Sequence, residues 1–426
     1  MKTARYRLLA LLAVLAMVIA ACGGDGGGDD GTTTTDGATD TTEDMTTTTG
    51  EMTDTTAGDG GEASMPGEGV TIRQGRADWS SGYFGAYVYT LLLEELGYEV
   101  TDPAETELGP SLAYLGMAQG DFDFWQESWM PGHLSWFANE MPDGSIVGDH
   151  LTVYGTAGDA AGEYRSAFTG DPGETPGGGL QGFLMTKSFA EEWDIASVDD
   201  LNNNPEALAA FDAADPVPNN GVADIYGCQQ SFTCDDIIQN QIAFGDGETS
   251  WENITQVIAG YDAMAAEATA KANNDEPMLI YTWTPSAYIT QLIPGENVVW
   301  LGTEAVLDDS NPADLEGGES HDQRPGSANI GAEECPYAAN NDTCQLGWIA
   351  ADILVTANTE FAEANPAAAE LFSQVQLSVL EVSLANVAQA GGADTNEAIR
   401  GLAADWIADN RDAVDGWLDA ARSAAG

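Results

Sequence analysis

The chain reads as an α/β protein of two lobes, joined at a hinge, with a ligand cleft between them. Three observations lead there. From Gly69 onward apolar residues switch between strand and helix spacing in the order βαβαβ, the half-unit of a doubly wound sheet. A loop rich in Gly and Pro, at about 157–179, separates that unit from a second alternating stretch. The remaining 360 or so residues fit two cores better than one large sheet, with the chain crossing between lobes more than once.

Taken in order, Val70-Thr71-Ile72 reads as the first strand. Phe84, Tyr87, Val88, Leu91, Leu92 and Leu96 then recur at helical spacing, and Gly97 supplies a stop. Tyr98–Val100 is a second strand, Leu112–Gln119 a helix ended by Gly120, and Phe122–Phe124 a third strand. Ligands of such sheets bind beyond the carboxyl ends of the strands, and Trp129 and His133 follow the third. The second stretch predicts helices near 188–194, 204–212, 235–243 and 251–272, then a strand at Met278–Tyr281. The last 80 residues or so read as largely helical, and no internal repeat stands out.

The amino terminus has the marks of a secretion signal. Lys2, Arg5 and Arg7 precede an apolar run from Leu8 to Ile19, too short for the roughly 20 residues of a membrane-spanning helix. The run closes in Ile19-Ala20-Ala21-Cys22, which resembles a bacterial lipoprotein cleavage site, so Cys22 is the expected lipidation point. An ordinary signal peptide whose cleavage site precedes a cysteine by chance is the alternative. Residues 22–68 are nearly all Gly, Thr, Asp, Glu, Ala and Met, with too little apolar surface to offset ordering entropy, and predict a flexible acidic tether. The expected organisation is a signal at 1–21, the lipidated cysteine and tether at 22–68, a first lobe at 69–155, a second at 156–345, and a return to the first at 346–426.

Seventy acidic residues against 12 basic ones give a formal net charge of −58. That balance excludes nucleic acid as a partner, because phosphate binding needs the opposite sign. Solubility is one account of it; function at high salt, where self-repulsion is screened within a few Å, is the one favoured here. Beyond Cys22 the cysteines fall into two local pairs, Cys228 with Cys234 and Cys335 with Cys344, which in an exported protein suggests disulfides. A metal site is disfavoured: there is no Cys-x-x-Cys and only three histidines, His133, His150 and His321. No cofactor is expected.

Two segments repeat a Trp-x-Pro pattern, Trp129-Met-Pro-Gly-His133 and Trp283-Thr-Pro285, and a third aromatic, Phe232, lies inside the Cys228…Cys234 loop. Aromatic faces attract quaternary ammonium ions without carrying a charge. These segments, with Leu96-Gly-Tyr-Glu-Val100, Ala118-Gln-Gly-Asp121, Pro294-Gly-Glu-Asn-Val-Val-Trp-Leu301 and Asn365-Pro-Ala-Ala-Ala-Glu-Leu-Phe372, resemble the glycine betaine/proline betaine-binding proteins of osmoprotectant ABC importers. The resemblance implies a periplasmic-binding-protein-like fold, a monomer, a zwitterionic small-molecule ligand, and a membrane permease with its ATPase as partners. It implies an aromatic cage from Trp129, Trp283 and Phe232, the last standing where the family has tryptophan, with Trp79 as a compensating wall and Trp125 a weaker candidate. Carboxylate contacts carry over to His133 and to the backbone N–H groups of Thr233 and Cys234, Thr233 replacing a common glycine.

Taken alone, Trp129 and Trp283 would read as core packing and His133 as a satisfied structural histidine; their setting and the resemblance reverse that. Trp193, Trp251, Trp300, Trp348, Trp406 and Trp417 read as packing residues, and Trp136 can be one too. An exported enzyme is the competing class, but the chain has no Gly-x-Ser-x-Gly, no His-Glu-x-x-His, no phosphate loop and no dinucleotide fingerprint. A surface adhesin or sensor on the same fold is the other.

Overall fold

The computed structural model describes residues 65–155, 179–230, 232–245, 248–307, 320–321, 330–341, 343–348 and 351–426. Cys22 and the expected signal lie outside that set. Residues 65–68 form a turn whose Gly67 N–H bonds the Leu96 carbonyl at 2.9 Å.

Two five-stranded sheets organise the molecule. The first contains β2 (Gln74–Ala77), β4 (Glu107–Leu108), β5 (Phe124–Met130), β6 (Leu151–Tyr154) and β14 (Asp352–Asn358), in the order β4-β2-β5-β14-β6. A small parallel pair, β1 (Thr71–Ile72) with β3 (Glu99–Val100), precedes it. The second sheet contains β7 (Leu180–Thr186), β8 (Ala223–Tyr226), β9 (Ile254–Val257), β10 (Leu279–Thr284) and β11 (Val298–Leu301), in the order β11-β7-β10-β8-β9. A short antiparallel pair, β12 (Val306–Leu307) and β13 (Ser320–His321), completes the strands described. This is the two-lobed α/β architecture read from the sequence.

The helix Ser81–Glu95 buries Phe84, Tyr87, Val88 and Leu92 against the first sheet, and Gly97, at φ +91°, turns the chain out of it. The helix Pro110–Gln119 starts on a proline, which has no N–H to leave unpaired, and stops at Gly120 with φ +76°. At the carboxyl terminus Val414, Leu418 and Ala421 form one fully buried stripe of the helix Arg411–Ala424, so the last helices belong to the core of the first lobe.

Two expectations are corrected. The third strand begins at Phe124 and continues to Met130, so Trp129 lies within it rather than beyond its end. Its seven residues are all buried, and a polar centre (Gln126, Glu127, Ser128) hid the strand from a hydrophobicity reading. The helix expected at 251–272 is two elements: β9 over Ile254–Val257 and a helix over Tyr261–Asn273. Ile254, Thr255 and Val257 are β-branched, and parallel pairing with Ala223–Tyr226 decides their conformation. β7, β8, β11 and β14 were not distinguished as strands by apolar spacing alone.

Both cysteine pairs are joined, Cys228–Cys234 and Cys335–Cys344, with Cα–Cα separations of 5.8 and 6.0 Å. No single helix among the described residues is long and apolar enough to cross a membrane.

Leu418 is completely buried. Leu418→Ala is expected to destabilise the protein by about 2–5 kcal/mol, through lost transfer energy and a residual cavity. A lowered urea midpoint at unchanged slope is the result that checks it.

Candidate ligand site

The two Trp-x-Pro segments occupy equivalent places in the two sheets. Trp129 is the next-to-last residue of β5 and Trp283 the next-to-last of β10, and each strand then enters a cis proline, at Met130–Pro131 and Thr284–Pro285. Each tryptophan stands opposite a strand through which the chain crosses between the lobes: Trp129 pairs with Ile353 of β14, and Trp283 with Gln181 of β7. The crossings run side by side. Gly179 and Ala351 exchange both backbone hydrogen bonds, each at 2.8 Å.

Between these strand ends lies a cleft with about 460 Å³ of unfilled space, part of it open to solvent. Trp79, Trp129, His133, Phe232, Thr233, Cys234 and Trp283 all line it, joined by Pro110, Gly132, Gln181, Ile237 and Tyr281. The expected residues therefore come together in one place, from four separate parts of the chain. Trp79 and Phe232 meet edge to face at 5.1 Å across the cleft. Two further contacts bridge it: Trp136 Nε1–H donates to Thr233 Oγ1 at 2.8 Å, and Trp283 Nε1–H to Ser81 Oγ at 3.4 Å. Trp136 was expected as packing; the structure places its indole on Thr233, inside the disulfide loop.

His133 is held by the turn that carries Trp129. Its backbone N–H donates to the Trp129 carbonyl at 2.9 Å, and its Nδ1 accepts the Trp129 backbone N–H at 3.1 Å. Tyr114 Oη lies 2.8 Å from the same nitrogen. Burial pushes the imidazole pKa down to about 3, so the ring is neutral. With Nδ1 accepting, the ring proton belongs on Nε2, leaving that N–H as the donor for the cavity. Thr233 and Cys234 open the helix Thr233–Phe244, where backbone N–H groups have no carbonyl one turn earlier to bond. The residues that carry these aromatic rings and N–H donors thus line a single cleft. That combination suits a solute with a poorly hydrated cation at one end and an anion at the other.

Trp125, the weaker wall candidate, is fully buried and outside the lining. It stacks on His133 at 5.9 Å and meets Trp79 edge to face at 5.6 Å, so it supports both from behind. His150 bonds Ser145 at 2.9 Å, away from the cleft lining.

Sequence reading missed three residues. Tyr281 shares a strand face with Trp283, a relation the two-residue spacing already contained, and its hydroxyl donates to Gln181 Oε1 at 2.7 Å. Gln181 carried no signal. Glu127 is a buried carboxylate whose Oε1 accepts the indole N–H groups of Trp79 and Trp129, both at 3.3 Å. Burial raises its pKa to about 7, and the two indole hydrogen bonds oppose the rise.

Two outcomes are expected. Because Glu127 keeps its proton in the folded protein to a higher pH than in the unfolded chain, its contribution to stability is full below about pH 4.5. That contribution falls as pH rises to about 7, by roughly 3 kcal/mol in all. Glu127→Gln should remove this segment of the stability–pH curve, as read by chemical denaturation. Separately, a Cβ on Gly179 would lie 2.6 Å from Cζ3 of Trp129, so Gly179→Ala should displace that ring and alter indole fluorescence more than overall stability.

A sequence profile described as the substrate-binding domain of ABC-type glycine betaine transport systems matches residues 70–409. The glycine betaine-binding periplasmic protein OusX of Dickeya dadantii is 30% identical over 362 residues, covering 85% of this chain and 92% of that protein. A glycine betaine/proline betaine-binding periplasmic protein of Escherichia coli is 27% identical over 362 residues, covering 85% and 93%. Among solved structures, a choline-binding protein of an ABC transporter superposes with a TM-score of 0.53 at 14% identity, over 83% of this chain and 96% of that one. Lactococcal OpuAC, closed on glycine betaine, gives a TM-score of 0.52 at 14% identity, over 82% and 99%. These two share the fold. With the profile spanning most of its length, the chain belongs to the family of substrate-binding domains of ABC-type glycine betaine transport systems.

Proposed function

We propose that this protein is an extracytoplasmic receptor that binds glycine betaine, or a close quaternary ammonium osmoprotectant, and delivers it to a membrane permease driven by an ATPase. The observation that carries this reading is the convergence of Trp79, Trp129, Phe232, Trp283, His133, Thr233 and Cys234 on one cleft. The trimethylammonium group is assigned to the rings of Trp129, Trp283, Phe232 and Trp79. The carboxylate is assigned to His133 Nε2–H and the N–H groups of Thr233 and Cys234. Each desolvated aromatic face contributes about 1–2 kcal/mol, so four supply roughly 4–8 kcal/mol, up to the 8 or so that micromolar affinity requires. The donors at the carboxylate end supply the remainder.

Lipid on Cys22 would anchor the receptor, the acidic stretch before residue 69 would give it reach, and closure of the lobes would couple occupancy to docking. The excess of acidic side chains favours working at high salt.

Calorimetric titration at high salt tests the assignment. Micromolar glycine betaine binding is expected, with choline, which lacks the carboxylate, markedly weaker. Trp129→Ala and Trp283→Ala should each weaken betaine binding by at least about tenfold, the worth of one aromatic face. Unchanged affinity in both variants would refute the cage. Silence toward betaine alongside binding of choline, carnitine or ectoine would mean that Phe232 and Thr233 have changed the ligand.

A further inference from the structure

Glu127 has no counterpart in the assignment above. Its carboxylate does not line the cage cavity. It lies behind two of the cage walls, with Oε1 on the indole N–H groups of Trp79 and Trp129, and borders a second, mostly apolar cavity edged by Ser81, Tyr89 and Pro285. It is 6% exposed, and no cationic side chain among the described residues contributes to its ionisation. Burying an unpaired carboxylate is expensive, so an unpaired one here calls for a reason.

We infer that Glu127 is a positioning residue that sets specificity through the cage: its negative charge, relayed by two indole N–H hydrogen bonds, enriches the π faces of Trp79 and Trp129 and favours a permanently cationic head group. The inference rests on the betaine-type reading of the same site. An N–H bonded to an anion polarises its ring, and the attraction of a cation to that ring is electrostatic. The direct field of the carboxylate acts in the same sense. It favours a simple cation more than a zwitterion, whose own carboxylate is partly repelled.

A linkage to pH follows. The folded-state pKa of about 7 leaves Glu127 partly protonated near neutrality, and a bound quaternary ammonium draws it into the ionised form and expels the proton. The other charged or titratable groups on elements packed around it are Arg76 on β2, Asp352 on β14, Tyr83, Tyr87, Tyr89, Glu94 and Glu95 on the helix Ser81–Glu95, and Asp78, Tyr114 and His133. Arg76, Glu94 and Glu95 are held in ion pairs with Glu107, Arg400 and Arg411. The tyrosines stay protonated and His133 stays neutral in the range of interest, so Asp78 and Asp352 need controls, Asp78→Asn and Asp352→Asn.

The experiment is calorimetry of the purified protein with tetramethylammonium and with glycine betaine from pH 5.5 to 8.5. Glu127→Gln keeps an oxygen for both indoles and removes only the charge. In the unsubstituted protein, tetramethylammonium affinity should rise about tenfold across this range and betaine affinity about threefold. Both should be flat in Glu127→Gln, while Asp78→Asn and Asp352→Asn keep the rise. In the ligand-free protein the indole Nε1–H resonances of Trp79 and Trp129 should titrate near pH 7, and should not in Glu127→Gln. A Gln variant that retains the rise, an unsubstituted protein without one, or indole signals that do not titrate would overturn the inference. A pH-dependent tetramethylammonium site that ignores betaine would sink the betaine reading and leave Glu127's role standing. Betaine binding without the pH rise would do the reverse. Failure of both ligands would sink both.

Discussion

The site depends on one pair of backbone hydrogen bonds, those exchanged by Gly179 and Ala351 where the chain passes between its lobes. Strand pairing has no freedom to slip by one residue without turning every side chain to the opposite face. The ladders with β10 and β5 fix the registers of β7 and β14, and the bridge ties the two crossings to each other. Two residues beyond the bridge in each strand stand Gln181 and Ile353, the partners of Trp283 and Trp129. Trp129 and Trp283, both lining the cleft, thus stand the same two residues from the bridge. The closeness of the backbone there is possible because residue 179 has no side chain to meet the Trp129 ring.

Around that frame, the polar groups of the cleft follow two opposite routes. His133 is buried and stays neutral, since Trp129 and Tyr114 occupy Nδ1 and leave one proton on Nε2. A neutral donor attracts a carboxylate without the desolvation cost of a buried cation. Glu127 is equally buried, yet two indole donors keep its ionised form within reach of neutral pH. One is a neutral donor and the other an ionisable carboxylate, and both are bonded to the same tryptophan, His133 to its backbone N–H and Glu127 to its indole.

The disulfide loop is tied across the cleft by side-chain contacts. Phe232 presents its ring to Trp79 at 5.1 Å, so the smaller aromatic meets a neighbour supplied by the other lobe. Thr233 contributes a hydroxyl that takes the Trp136 indole N–H, a cross-cleft bond that glycine lacks the atom to make. Phe232 and Thr233 are thus coupled to tryptophans well outside the loop.

The sequence by itself determined the α/β class, the two-lobed architecture and the cysteine pairing, because helix periodicity, glycine stops and short cysteine spacings are local quantities. The family motifs also picked out seven residues that the structure gathers in one cleft. Tertiary structure decided the rest. Strands such as β9 and the extension of β5 are made by their partners, and the polar run Gln126-Glu127-Ser128 gives no hydrophobic alternation to read. Gln181 and Tyr281 join the cleft, and Trp136 bonds Thr233 beside it, through pairing and packing across long separations in the chain. Glu127 was one of 70 acidic residues, indistinguishable until burial removed its water and two indoles took its place.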